Sequence, residues 1–237
     1  MAAYKRILLK LSGEALGGES ARGLDKAALQ MAAGEIRDVC SAGIELAVVV
    51  GAGNFVRGAE SAALGIERAT ADYMGMAATL LNALALQSAV EAMGYSTRVL
   101  TAIKADEMAE PYIRRRAMRH MEKGRVVILA GGTGNPYCTT DTAAALRAIE
   151  LDCKAILKAT KVDGVYTNDP LTNPNALRYD SISYSQAIRE NLRIMDSTAF
   201  TMCQENRVPI IVYSMKIPGN TIKAAIGQTI GTTVAGG

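Results

Sequence analysis

The sequence has no tryptophan, only two phenylalanines, and a single histidine, His120, among its 237 residues. Its four cysteines, Cys40, Cys138, Cys153 and Cys203, form no C-x-x-C pair, so a Cys/His metal site is not expected. An excess of one charge is lacking too: 26 basic and 23 acidic side chains are mixed along the chain for a net charge of +3. Nothing here resembles a polyanion-binding tail, and nucleic acid is not the expected partner. No apolar run reads as long enough for a membrane span. The opening Met1-Ala-Ala-Tyr-Lys-Arg enters a strand-like segment at once, without the pattern of a signal peptide. The expectation is a cytoplasmic protein with no membrane partner. Two phosphate-binding fingerprints are missing as well. There is no G-x-x-x-x-G-K-[ST], and Gly51-Ala-Gly53 has no glycine three residues on, which excludes a Walker A cradle and the dinucleotide fingerprint.

What is present is the pattern of an α/β enzyme. Short runs rich in Val, Ile and Leu at 6–11, 45–50, 97–101, 126–130, 155–158 and 209–213 read as buried strands. Stretches with helical spacing at 25–42, 67–93, 111–122, 140–151 and 197–206 lie between them, with Asp25 as a candidate N-cap. Strands alternating with helices predict a mainly parallel sheet covered on both faces, which binds ligands beyond the carboxyl ends of its strands. Residues 161–184 carry Asp-Gly, Asn-Asp-Pro and Asn-Pro signals and read as hairpins and loops. One domain over 1–237 is expected, with a soft division into lobes 1–154 and 155–237.

Glycine falls where such a sheet would use it: Ser12-Gly13 after the first strand, Gly51 to Gly58 after the second, Gly131 to Gly134 after the run ending at Ala130. Backbone N–H groups of separate loops can cradle phosphates together with Lys and Arg. Lys10 ends the first strand, where its ammonium can meet charge on a phosphoryl group or simply snorkel to solvent. Arg57 offers a planar fork for phosphate, or is a solvated loop arginine. Thr133-Gly-Asn-Pro-Tyr-Cys-Thr-Thr-Asp141 sets an acid in the first turn of a helix. There Thr139 or Thr140 can serve as N-cap and Asp141 as complement to the helix dipole, or the turn can bind anions. The basic run Arg114, Arg115, Arg116, Arg119 and His120 spreads around its helix and reads as a solvated face or a subunit contact. The eleven methionines read as packing.

Taken together, Lys10-Leu-Ser-Gly-Glu-Ala-Leu16, Gly51 to Gly58, Asp72-Tyr-Met-Gly-Met76, Thr133 to Asp141, Leu157 to Tyr166, Arg193-Ile-Met-Asp196 and Gly231-Thr-Thr-Val234 resemble the bacterial uridylate kinases of the amino-acid kinase superfamily. The resemblance implies a three-layer αβα sandwich and reversible, ATP-dependent phosphorylation of UMP to UDP in pyrimidine biosynthesis, by in-line transfer without a covalent intermediate. It assigns Lys10, Leu11, Ser12, Gly13, Gly53 and Arg57 to the ATP phosphates, and Thr160, Tyr166 and Asp169 to the adenosine end. It assigns Ala52, Arg57, Asp72, Thr133, Gly134, Asn135, Pro136, Tyr137, Cys138, Thr139 and Thr140 to UMP, with Asp72 on the ribose. Lys10, Arg57 and Asp141 would carry catalysis, Asp141 acting indirectly through the Mg²⁺ that accompanies ATP. A homohexamer inhibited by UTP is implied. GTP activation would need basic side chains at a subunit junction, where Arg98 and Arg125 fit and Glu91 replaces the histidine of some members. Ala52 stands where many members have a third glycine, and Cys138 where an aromatic is frequent; Cys138 is expected to be a small buried hydrophobe. Two other readings stay open, a kinase forming an acyl or carbamoyl phosphate and a non-enzymatic nucleotide-binding protein on the same scaffold.

Overall fold

Alternation along the first strand, β1 (Arg6–Leu11), sets the architecture. Ile7, Leu9 and Leu11 join one apolar core while Leu8, between them, joins another, so both faces of the strand are covered. A computed structural model describes residues 4–236 apart from Asp169, Leu171, Pro174 and Arg193, and only the backbone of Gly58 and Ala59. Asp169, expected at the ATP site, therefore lies outside the described residues. Along the chain β1 is followed by α1 (Gly13–Leu16), α2 (Lys26–Ser41), β2 (Glu45–Val50), α3 (Gly58–Ala63), α4 (Arg68–Glu91), β3 (Thr97–Thr101), β4 (Glu110–Pro111) and α5 (Arg114–Glu122). Then come β5 (Val126–Ala130), α6 (Thr140–Glu150), β6 (Ile156–Thr160), β7 (Ser181–Ile182), α7 (Tyr184–Arg189), α8 (Ser197–Glu205), β8 (Ile210–Ser214), α9 (Asn220–Ala225) and β9 (Thr232–Val234).

Among the described residues these strands form one sheet in the order β4-β3-β5-β2-β1-β6-β8-β9-β7, parallel from β4 to β8 and reversed at β9. Helices α2, α4 and α9 supply the core on one face, and α5, α6, α7 and α8 the core on the other. The chain is thus an α/β, three-layer sandwich around a mainly parallel sheet, as expected. Each fully buried Leu or Ile contributes roughly 1.5–3 kcal/mol, which outweighs the weak local preferences of the short helices.

The local signals act as read. Asp25 caps α2 by accepting from the Ala28 N–H at 2.8 Å, and Thr139 caps α6. Pro111 differs from the reading: it pairs with Thr101 as part of β4, an edge strand where a missing N–H costs nothing, so α5 begins three residues later than the apolar spacing suggests. In residues 161–184 Tyr166 and Arg178 form an antiparallel bridge, the hairpin expected there. Helix α4 corrects another expectation. It is long and apolar enough to span a membrane by length and composition, with an 18-residue window of mean hydropathy 1.2; here it packs against the sheet through Leu80, Ala83, Leu86 and Val90.

Because β1, β2, β5 and β6 are parallel and adjacent, their carboxyl ends lie along one edge. The loops after β1 and β2 lead to helices on one face, while the loop after β5 leads to α6 on the other. A crevice opens where connections part in opposite directions.

Candidate active site

Lys10 and Lys158 are direct cross-strand partners in the β1–β6 register. Their even positions match Leu8 and Ile156, which face the α6 layer, so both ammonium groups stand beside the first turn of α6. Asp141 occupies that turn. Lys158 Nζ donates to Asp141 Oδ2 at 2.8 Å and also to the Ile194 carbonyl. Lys10 Nζ lies 2.8 Å from the buried Asp141 Oδ1, a close ion pair. Burial works to raise the Asp141 pKa, but Lys10 and Lys158 outweigh it and hold the carboxyl below its ordinary value. Burial lowers the Lys158 pKa, Asp141 opposes this, and Lys10 adds to it. Two cations share this carboxylate, and the nearby Asp196 charge also favours the protonated form of Lys158.

The glycine loops close over this cluster. A Cβ on Gly13 would come within 2.5 Å of Asn54 Oδ1, 2.7 Å of Gly51 O and 2.8 Å of Gly53 N, so only glycine lets the β1 and β2 loops touch. Ser12 caps α1 by accepting from the Glu14 N–H. Leu11 is buried and its carbonyl accepts from Gly51 N–H, leaving its side chain in the core. Arg57 donates from Nε to the Gly53 carbonyl at 3.0 Å, and its Nη2 lies 3.5 Å from Glu14 Oε1. Lys161 Nζ donates to Glu14 Oε2 at 2.6 Å. That hydrogen bond outweighs burial and, with the nearby Arg57 charge, lowers the Glu14 pKa.

Two clefts flank the cluster. One is lined by Ala52, Asp72, Thr133, Asn135, Cys138 and Thr140, among others, and so gathers residues expected around UMP. Asp72 Oδ2 accepts from Tyr137 N–H at 2.8 Å, and Thr133 Oγ1 accepts from Asn135 N–H at 3.2 Å. Gly134 and Tyr137 have φ of +84° and +67°, which turns the loop between Pro136's neighbours back toward α4. Thr139 Oγ1 accepts from the Asp141 and Thr142 N–H groups and donates to Asp196. Cys138 is exposed in this cleft, not the buried hydrophobe expected, because the turn around Tyr137 lifts it away from the core. The other cleft, of about 710 Å³, is lined by Lys158, Thr160, Val162, Tyr166, Leu192 and Val212, among others, a size suited to a small-molecule ligand. Thr160 Oγ1 donates to the Val162 carbonyl at 2.6 Å, and Tyr166 OH donates to Asp163 at 2.6 Å.

Sequence reasoning missed Lys158, whose signal was a lysine inside the apolar run Ile156-Leu-Lys-Ala-Thr160. It also missed Asp196, which accepts from Thr142 Oγ1 at 2.9 Å and caps α8 through Ala199 N–H, joining two helix N-termini beside Asp141. Glu14 and Lys161 were read only as parts of longer strings.

The sequence profile of the amino acid kinase family matches residues 5–214. Among solved structures, a UMP kinase from Bacillus anthracis superposes with a TM-score of 0.95 at 37% identity, covering 98% of this chain and 96% of that one. A UMP kinase from Ureaplasma parvum gives 0.93 at 35% identity over 98% and 99% of the two chains. A uridylate kinase from Archaeoglobus fulgidus gives 0.73 at 30% identity over 97% and 99%.

Proposed function

The chain belongs to the amino acid kinase family, within it to the UMP kinases, and from that premise we propose how its residues move a phosphoryl group from ATP to UMP. It is a nucleoside monophosphate kinase of the uridylate type. The observation that carries the mechanism is the Lys10–Asp141–Lys158 cluster between two clefts.

In the proposed reaction UMP lies in the Asp72 cleft and ATP in the Thr160–Tyr166 cleft, with the phosphates meeting end to end over the cluster. An oxygen of the UMP phosphate attacks the γ-phosphorus in line, the bond to the ADP oxygen breaks, and no covalent enzyme intermediate forms. No strong base is needed, since such a phosphate has a second pKa of about 6 and is already dianionic. Lys10 and Lys158 offset charge on the transferring group, and Arg57 approaches the phosphates of both nucleotides once released from Glu14. Asp141 keeps the two ammonium groups aimed at one point.

Mg²⁺ accompanying ATP would supply positive charge that offsets the charge of the phosphates. Asp141 is the residue that would hold it: its carboxylate already faces cations, with Lys10 Nζ 2.8 Å from Oδ1, and Mg²⁺ sites beside phosphates use one or two carboxylates. Among the described residues no group of three acids, histidines or cysteines is placed to hold a metal, so Asp141 would share the ion with the phosphates of ATP.

Self-association, as the hexamer implied by resemblance, draws support from Tyr73, Met74 and Leu81, apolar and exposed on α4. An effector role for Arg98 and Arg125 draws support from their place around Glu110 and His120. Glu91 instead accepts from Thr97 N–H and Oγ1, a structural use. UTP as inhibitor follows from its shared uridine, and a cytoplasmic setting suits four free thiols.

The test is ADP release with ATP and Mg²⁺ on UMP, CMP, dUMP, acetylglutamate and carbamate in parallel. UMP-dependent release with UDP as product is expected. Turnover of acetylglutamate or carbamate, or ATP binding without turnover of UMP, would overturn the reading.

A further inference from the structure

Helix α4 carries two of the most completely buried polar side chains in the protein, Thr79 at 2% exposure and Asn82 at 0%. They lie three residues apart, on one face of the helix and one turn from each other. Neither was given a role in the mechanism above, although Thr79 also lines the Asp72 cleft. Asn82 and Asn54 exchange a reciprocal pair of amide hydrogen bonds, Asn54 Nδ2 to Asn82 Oδ1 at 2.9 Å and Asn82 Nδ2 to Asn54 Oδ1 at 2.8 Å. The remaining donors go to main-chain carbonyls, Asn82 to Gly51 at 2.7 Å and Asn54 to Gly23 at 2.6 Å. Thr79 Oγ1 donates to the Met76 carbonyl at 2.6 Å and accepts from Gly131 N–H at 2.8 Å.

A buried amide pair is costly unless complete, whereas two apolar side chains of similar shape would carry no such cost. Stability alone gives no reason for amides here. What the pair does is hold a place: Asn54 is pressed against Gly13, so the β2 loop is seated on the β1 loop by a contact whose other end is α4. Thr79 does the same for the first residue of the loop after β5. One helix thus touches both loops, at the Gly51 carbonyl and the Gly131 N–H.

We propose that Asn82 and Thr79 are positioning residues of the transfer reaction, using α4 as the bar that fixes the spacing between the phosphate loop at Gly51–Asn54 and the acceptor loop at Gly131. The proposal rests on the uridylate kinase reading for what the loops hold, but the ties themselves can be measured without turnover. A misplacement of about 1 Å in such a site can cost on the order of a hundredfold in rate.

The experiment combines kinetics with amide exchange on the full chain. Thr79→Val removes the acceptor of Gly131 N–H with almost no change of shape. It should speed Gly131 exchange at least tenfold and raise the UMP KM at least fivefold, with the ATP KM within twofold of wild type. Asn82→Leu should lower kcat at least tenfold. If that variant does not fold, Asn54→Leu/Asn82→Leu, which replaces both partners, should fold and show the same loss. A purely structural role would lower activity only in proportion to the folded fraction and leave the KM values together. Unchanged Gly131 exchange in Thr79→Val, kcat within twofold in a folded Asn82 variant, or a double variant that does not fold overturns the proposal. If the wild type makes no UDP, the kinase reading falls while the exchange result still decides the ties.

Discussion

Lys10 and Lys158 sit side by side on adjacent strands, in register, and a single carboxylate, Asp141, stands between their ammonium groups. Like charges this close repel, so the arrangement depends on the acid that separates them. Asp141→Asn keeps the shape and removes the charge. Breaking such a buried pair costs about 3–5 kcal/mol, which for a chain of this size is a fall in melting temperature of roughly 6–20 °C. Turnover should fall about a thousandfold in protein that is still folded at 25 °C. Calorimetry and a coupled assay check both, and near wild-type kcat would remove Asp141 from the mechanism.

The pH dependence follows from the same trio. Asp141 has a lowered folded pKa, so its stabilisation is present above its ordinary value of 3.8 and is lost as pH falls through the lower folded value. Lys158 also has a lowered folded pKa. Its burial therefore costs stability at neutral pH, and the cost is relieved as pH rises through the window between the folded value and 10.5. Activity should run the other way, since deprotonated Lys158 no longer offsets charge. The alkaline limb of kcat should lie below 10.5, and Lys158→Arg should move that limb upward even with reduced kcat. An alkaline limb identical in the two proteins would show that Lys158 does not titrate in it.

Asp72 accepts from Tyr137 N–H, and its side chain lines the cleft proposed for UMP. Asp72→Ala should raise the UMP KM about tenfold to a hundredfold and narrow the preference for UMP over dUMP, because one carboxylate serves both the loop and the proposed ribose contact. Steady-state kinetics with the two substrates measures this. An unchanged ratio would leave Asp72 a structural residue only.

Thiol chemistry offers a direct probe of the same cleft. Burial pushes the Cys40, Cys153 and Cys203 thiols up to about 12, while Cys138 is exposed in the cleft lining. At pH 8 iodoacetamide should therefore label Cys138 first, with loss of activity, and UMP should slow the labelling. Peptide mapping by mass spectrometry identifies the modified residue, and rapid labelling of another cysteine would contradict the placement of this loop.

Much of the fold was legible because the central strands are short apolar runs: β1, β2, β3 and β5 run over the residues read as strands. Helices α1, α3, α7 and α9 were not, since four to six residues are too few for a period of 3.6 to show. Strand β9, three residues long, is held by pairing with β8 and β7, which no local pattern announces. At the site, glycine loops and the Thr133–Asp141 string were visible because each is continuous in sequence. Lys158 was not, because its meaning comes from lying opposite Lys10, and register is a long-range property. The same holds for Asn82, which reads as one polar residue in an apolar helix until Asn54 is placed against it.

The pairing of β1 with β6 has a further consequence for how the chain assembles. Side chains alternate faces along a strand, so a slip of one residue would turn Lys10 or Lys158 into the aliphatic layer formed by α2, α4 and α9. An unpaired ammonium there is among the costliest errors a sheet can make. The lysines proposed to meet the phosphates thus also reject misaligned strands, and a wrongly threaded sheet is selected against before any nucleotide is bound.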